Sequence, residues 1–224
     1  MRDPGSLVER STDAIRSSLR GRIGLHGILG DAAWQRLPAA VRDRFGEPAR
    51  RVDYVGEFEV VRASRLGRVL AFLCRLIGTP VVPRTGRRVP AVVHVGPEGN
   101  GVAWNREYRW PGERYCLVRS TKVIDADGRL VERLPARLCM SLEVREQEGT
   151  LHFVSRGYYF DLGTWLGDRS LEISLPSWLS PGVTHVEHRD ESDGWFRFTM
   201  TVTHPFFGEM YYQTGRFRAA KEQT

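Results

Sequence analysis

From Val89 to Phe217 the chain is a succession of strand-like runs broken by short turns, and this limits its fold more than any other feature. Val89 to Val95 stops at Gly96-Pro97 and Gly99-Asn100-Gly101. Val102 to Trp110 stops at Pro111-Gly112, and Arg114 to Asp125 stops at Asp127-Gly128. Leu130 to Glu146 is long, with a bend expected near Pro135. Glu148-Gly149 turns into Leu151 to Leu162, and Leu171 to Leu175 ends at Pro176. Thr184 to Arg189 leads to Asp193-Gly194, a strong hairpin dipeptide. Phe196 to His204 and Glu209 to Phe217 complete the series. Connections this short join antiparallel neighbours, because a parallel crossover needs a dozen or more residues. The expected fold is mainly β: an antiparallel up-and-down β-barrel or a strongly curved sheet of about ten strands. A sheet gripping a helix is the third arrangement compatible with the pattern. Closure would remove edge strands that otherwise invite aggregation.

Ahead of this region the pattern is mixed. Residues 1–30 are polar and rich in Arg, Ser and Gly, and they read as a weakly ordered arm or as a helix through Ile15, Leu19 and Ile23. Trp34, Leu37, Val41 and Phe45 form one helical stripe, interrupted by Pro38, so a turn and then a helix from Pro38 to Phe45 are expected. Val52 to Ala63 alternates as a strand. Leu66 to Ile77 returns to helical spacing, with Leu66, Val69, Leu70, Leu73 and Ile77 on one side, and ends at Gly78-Thr79-Pro80. The implied organisation is an arm (1–30), one β-rich domain (31–218) and a tail (219–224).

Composition narrows the function. The formal charge is +6, but 31 of the 33 cations are arginine and they are spread along the whole chain. Such a bias reads as codon usage in a GC-rich genome, and without a basic stripe no nucleic-acid partner is expected. Cys74, Cys116 and Cys139 offer no CxxC pair, so they read as buried thiols of a cytoplasmic protein. The longest apolar stretch, Val69 to Gly78, is interrupted by Arg75 and falls short of the roughly 20 residues a membrane span needs. No signal-peptide core follows Met1.

Several short motifs recur in a distinctive order. They are Arg88-Val89-Pro90, Trp104-Asn105-Arg106-Glu107-Tyr108, Gly128-Arg129-Leu130-Val131-Glu132 and Leu175-Pro176-Ser177-Trp178-Leu179-Ser180-Pro181. Gly194-Trp195-Phe196-Arg197-Phe198, His204-Pro205-Phe206-Phe207-Gly208 and Tyr212 to Phe217 follow. Over residues 34–218 the chain resembles the bacterial domain of unknown function 4166. The resemblance implies no established reaction. Some relatives carry a nucleotide-binding oxidoreductase module, but no Gly-x-Gly-x-x-Gly follows a strand here, so none of that chemistry transfers.

The residues that invite a role lie on strands. Trp104, Arg106, Tyr108 and Trp110 share a face, where an arginine between aromatics can clasp a carboxylate with two parallel hydrogen bonds. The competing structural role for Arg106 is to stack on its aromatic neighbours or to pair with a core carboxylate such as Glu132. Glu132, flanked by Leu130, Val131 and Leu134, reads as a buried general acid or base with a raised pKa, or as a strand-end carboxylate paired with an arginine. His204 continues the inward phase of Phe196, Phe198, Met200 and Val202, as a site residue or as a core histidine bonded to a backbone carbonyl. His185 and His188 flank Glu187, but positions three apart on a strand face opposite ways, so no metal site is expected. Gly-x-Ser-x-Gly, P-loop and His-Glu-x-x-His patterns are absent.

The leading expectation is a lipocalin-like β-cavity that binds a small apolar or amphiphilic molecule without catalysis. Trp104, Tyr108, Phe153, Phe198, Met200 and Tyr212 would line it, and Arg106 would fix a polar end. No cofactor is expected. One alternative is a cyclase or isomerase using Arg106, Glu132 and His204 in the same cavity. Another is an interaction domain that recruits a protein partner through the N-terminal arm or the 66–77 helix.

Overall fold

The computed structural model describes residues 24–46, 50–76, 82, 84–112, 115–125, 127–164 and 170–220. The expected helix through Ile15, Leu19 and Ile23, the Gly78-Thr79-Pro80 stop and the end of the tail lie outside these residues.

Among the described residues three short helices come first: α1 (Leu25–Leu29), α2 (Asp31–Arg36) and α3 (Ala39–Phe45). Pro38 separates α2 from α3, as its missing N–H requires. The stripe of Trp34, Leu37, Val41 and Phe45 is fully engaged, since all four side chains are buried. Strand β1 (Val52–Ala63) and helix α4 (Arg65–Leu76) follow.

The remaining chain is a meander: β2 (Gly86–Glu98), β3 (Gly101–Tyr108), β4 (Cys116–Val118), β5 (Thr121–Ile124), β6 (Leu130–Arg133), β7 (Leu138–Gln147), β8 (Thr150–Thr164), β9 (Ser170–Ser174), β10 (Val183–Asp190), β11 (Trp195–His204) and β12 (Gly208–Ala219). Every pairing is antiparallel. Strand β12 pairs with β1, and β10 pairs with β8 across β9, so ten strands close into a barrel. An even count lets the last strand meet the first in the same antiparallel sense as every other pair. The tight β2–β3, β7–β8 and β10–β11 turns lie at one end of the barrel, and α1–α3 pack there. Pro38 lies against Gly149 in the β7–β8 turn, and Arg36 pairs with Glu146 at 2.6 Å. Helix α4 lies at the other end, where Gly67 rests on the backbone of Met210; a Cβ at 67 would come within 1.9 Å of its carbonyl oxygen.

Two sequence expectations change. Leu130 to Glu146 is not one bent strand: Leu130 pairs with Leu142 and Arg133 with Cys139, so the chain folds back as a hairpin. The reversal is made by a 3-10 turn at Pro135–Arg137 with Ala136 and Arg137 at positive φ. The run from Arg114 to Asp125 is interrupted at Arg119-Ser120, which separates β4 from β5, although both pair with β3 in one continuous register. The Trp104 N–H donates to the Ser120 carbonyl at the break.

The core is aromatic. Phe58 stacks on Tyr108 with centroids 4.7 Å apart and meets Phe217 edge-on at 5.1 Å. Contacts of this kind add roughly 0.5–1.5 kcal/mol each beyond burial. Tyr108 and Tyr211 both donate to Gln213 Oε1, at 2.9 and 3.1 Å, so these buried hydroxyls share one acceptor. Burial pushes the Tyr108 phenol up to about 12.

Candidate functional site

Charge gathers inside the barrel at one level. Arg106 on β3, Lys122 on β5 and Glu132 on β6 are inward-facing residues of neighbouring strands, and Lys122 is the Cα partner of Glu132. The Lys122 ammonium donates to Glu132 Oε2 at 3.1 Å, and Arg106 Nη2 stands 3.9 Å from Oε1. All three side chains are more than nine-tenths buried. Aromatic rings complete the walls: Lys122 Nζ lies 5.7 Å from the Trp104 centroid and 5.3 Å from that of Phe153, and Arg106 lies 5.5 Å from Phe198. Cations at these distances are attracted to the ring faces.

Of the two expectations for Glu132, a raised-pKa acid or a carboxylate paired with an arginine, the electrostatics favour the second. Burial alone pushes this carboxyl up, but Lys122, Arg106 and Ser120 outweigh burial and hold it below its ordinary value. Glu132 is therefore an ionised counter-charge and not a raised-pKa acid. Burial pulls the Lys122 ammonium down, with Glu132 opposing and Arg106 adding to the effect.

His188 on β10 points into the same space. Its ring meets Phe45 at 4.8 Å, Phe198 at 5.3 Å and Trp104 at 5.5 Å. Its Nδ1 is buried and has no hydrogen-bond partner. Burial, then the fields of Arg44, Lys122 and Arg106, hold this imidazole well below its usual pKa. Arg44 on α3 adds a third cation. Its guanidinium lies 3.6 Å over the Phe196 ring, and its Nε and Nη1 are buried without acceptors. Phe45, the next residue, stacks on Trp104 at 5.2 Å. Behind Phe45, between the cap helices, opens a cleft of about 700 Å³ lined by Leu25, Trp34, Arg42 and Asp43.

The other expected site residues divide. Trp104, Tyr108, Phe153 and Phe198 are buried in the barrel core, and Met200 is partly buried beside it. Tyr108 and Phe198 pack on Phe58, and Trp104 and Phe153 pack on Phe45 and His188. Tyr212 is on the opposite face. Tyr211 and Gln213 take the inward phase of β12, and Tyr212 lies outside under Arg62, 4.4 Å from its ring. His204 is buried but locally satisfied: its Nε2 donates to the Trp178 carbonyl at 3.3 Å, and its Nδ1 accepts from the Phe206 N–H. None of its contacts is with Arg106 or Glu132. Sequence reasoning missed Lys122, Arg44 and the inward role of His188. Lys122 carried a signal, being one of only two lysines in an arginine-rich chain.

A closed antiparallel barrel with a buried cationic centre under a helical cap defines a compact β-barrel domain with one charged interior level. A family model, "Domain of unknown function (DUF4166)", matches residues 37–217, and the chain belongs to that family. Neither curated proteins nor solved structures give a match. Among the described residues no helix is long and apolar enough to cross a membrane.

Proposed function

We propose that the barrel binds a small anionic amphiphile, whose carboxylate reaches the cationic centre while its apolar body lies in the cleft behind Phe45. One observation carries this reading: the buried charge is unbalanced. Among the described residues three cations, Arg44, Arg106 and Lys122, gather near two carboxylates, Glu132 and Asp190; Arg44 also meets the Tyr54 hydroxyl, and buried nitrogens of Arg44 and His188 and a buried oxygen of Asp190 have no hydrogen-bond partner. Unsatisfied donors in a low-dielectric interior are costly, and an anionic guest would satisfy them. The cleft has the volume of an ordinary small-molecule site, which runs to roughly 300–1,000 Å³. Phe45 separates the cleft from the charges, so entry requires its ring to swing aside. The lysine supports the same reading. Arginine serves as the cation almost everywhere else in this chain, whereas an ammonium is a compact charge on a flexible stem.

Tag-free protein is screened by thermal shift and calorimetry against fatty, isoprenoid and polyketide carboxylates, each beside its alcohol. Carboxylates are expected to raise Tm more than the alcohols, and Lys122→Met to abolish the difference. No stabilisation by any carboxylate, or an undiminished preference in Lys122→Met, rejects the proposal.

The exposed face of α4 favours a second reading, an interaction surface. Leu66, Val69 and Phe72 are each at least half exposed. Changing all three to serine is expected to leave the barrel folded and to abolish any self-association seen by light scattering. An unchanged scattering mass in a protein that self-associates removes that role.

A further inference from the structure

On the outer wall of the barrel, three donor atoms from two strands converge. His185 and Glu187 are two apart on β10 and share its outer face, while His188 points inward. The register of β8 against β10 makes His152 the Cα partner of Glu187. His152 thereby stands beside both residues. Its Nδ1 lies 3.0 Å from His185 Nε2 and 3.8 Å from Glu187 Oε1, and the latter two atoms are 3.7 Å apart.

We propose that His152, His185 and Glu187 form a binding site for a divalent transition-metal ion, zinc by its ordinary ligand chemistry. The circle through three atoms with these separations has a radius of about 2.0 Å, and zinc bonds imidazole nitrogen and carboxylate oxygen at roughly 2.0–2.2 Å. An ion near the centre of the three donors is therefore at bonding distance from all of them without any strand moving. The donor set is suitable in kind, since two imidazoles and a carboxylate are borderline ligands that favour late first-row ions over calcium or magnesium. His152 is almost wholly covered, whereas His185 and Glu187 are about one-third exposed, so the fourth coordination position faces solvent. This geometry suits an ion that keeps a water or accepts a donor from outside. Arg145, the cross-strand partner of His152 on β7, opposes a cation here, and Glu146 beside it favours one. The site is separate from the cationic interior, which lies on the other side of the same wall.

The test uses tag-free full-length protein stripped with chelator and titrated with Co2+ and Zn2+. One equivalent of Co2+ is expected to bind with the visible absorption of a low-coordinate nitrogen–oxygen site, and Zn2+ is expected to displace it. His185→Ala and Glu187→Gln change partly exposed side chains, so both are expected to fold, which circular dichroism verifies. Each should weaken binding at least tenfold. His26→Ala and His94→Ala, at exposed histidines elsewhere, should change nothing. Absence of stoichiometric binding overturns the proposal, as does binding that survives His185→Ala in a folded protein. The first result leaves only a histidine–histidine hydrogen bond beside a carboxylate.

Discussion

Replacing Glu132 by Gln removes the counter-charge that Lys122 and Arg106 share. The substitution keeps the shape and removes the carboxylate, leaving Lys122 and Arg106 buried side by side without it. A pair 3.1 Å apart at an effective dielectric of about 20 attracts by about 5 kcal/mol before desolvation is counted. Breaking a buried pair by deleting one partner costs about 3–5 kcal/mol. A chain of this size loses about 2–4 °C of Tm per kcal/mol, so Glu132→Gln should melt roughly 6–20 °C below the parent at pH 7. The pH dependence has a definite sign. Glu132 is held below its ordinary value of 4.5, so its contribution is fully present above that pH and is lost as pH falls through the depressed folded value. The gap between parent and variant should therefore be complete at neutrality and close in acid. Replacing the whole group, with Arg106→Met, Lys122→Met and Glu132→Leu together, should be neutral or stabilising, because no member of the cluster is then left as an uncompensated buried charge. Calorimetric melts of the three proteins between pH 3 and 8 decide the matter. A gap under about 1 kcal/mol at pH 7, or one that persists unchanged in acid, refutes the ion-cluster reasoning.

Further outcomes follow from single contacts. His188→Phe removes the unpartnered Nδ1 from an aromatic cage and should stabilise the empty protein by about 1 kcal/mol in urea melts, while weakening any anionic ligand. Phe45→Ala opens the cap onto Trp104 and His188; it should cost about 3–5 kcal/mol and speed ligand entry in stopped-flow mixing. Gly67→Ala forces a Cβ against the Met210 carbonyl, so α4 must shift, at about 1–3 kcal/mol and with faster amide exchange confined to that helix.

Turn chemistry and alternation carried most of the architecture. Glu148-Gly149 and Asp193-Gly194 do make hairpins, and the Trp34 to Phe45 stripe does pack as one face. The hairpin at Pro135 was hidden because it depends on Ala136 and Arg137, residues that do not announce positive φ. Tyr211 and Tyr212 are adjacent aromatics, and the phase follows from Phe217: the register of β12 on β11 is unbroken from Phe217 to Tyr211, so Tyr211 shares the inward face. The interior site was legible only in part. Arg106 and Glu132 stood out as polar residues in apolar runs, and their pairing was the structural role anticipated for Arg106. Arg44 and His188 join them through tertiary closure between distant elements, which no local pattern encodes. The outer histidine cluster was invisible for the same reason, since His152 and His185 meet only through the β8–β10 register.

The barrel is sealed by the pairing of β1 with β12, whose partners Tyr54 and Ala219 lie at opposite ends of the domain. A nascent chain therefore carries two open edges until β12 leaves the ribosome. High contact order of this kind slows folding and exposes intermediates to aggregation. Truncation before Gly208 removes the seal itself, and the expected product is insoluble protein rather than a smaller barrel.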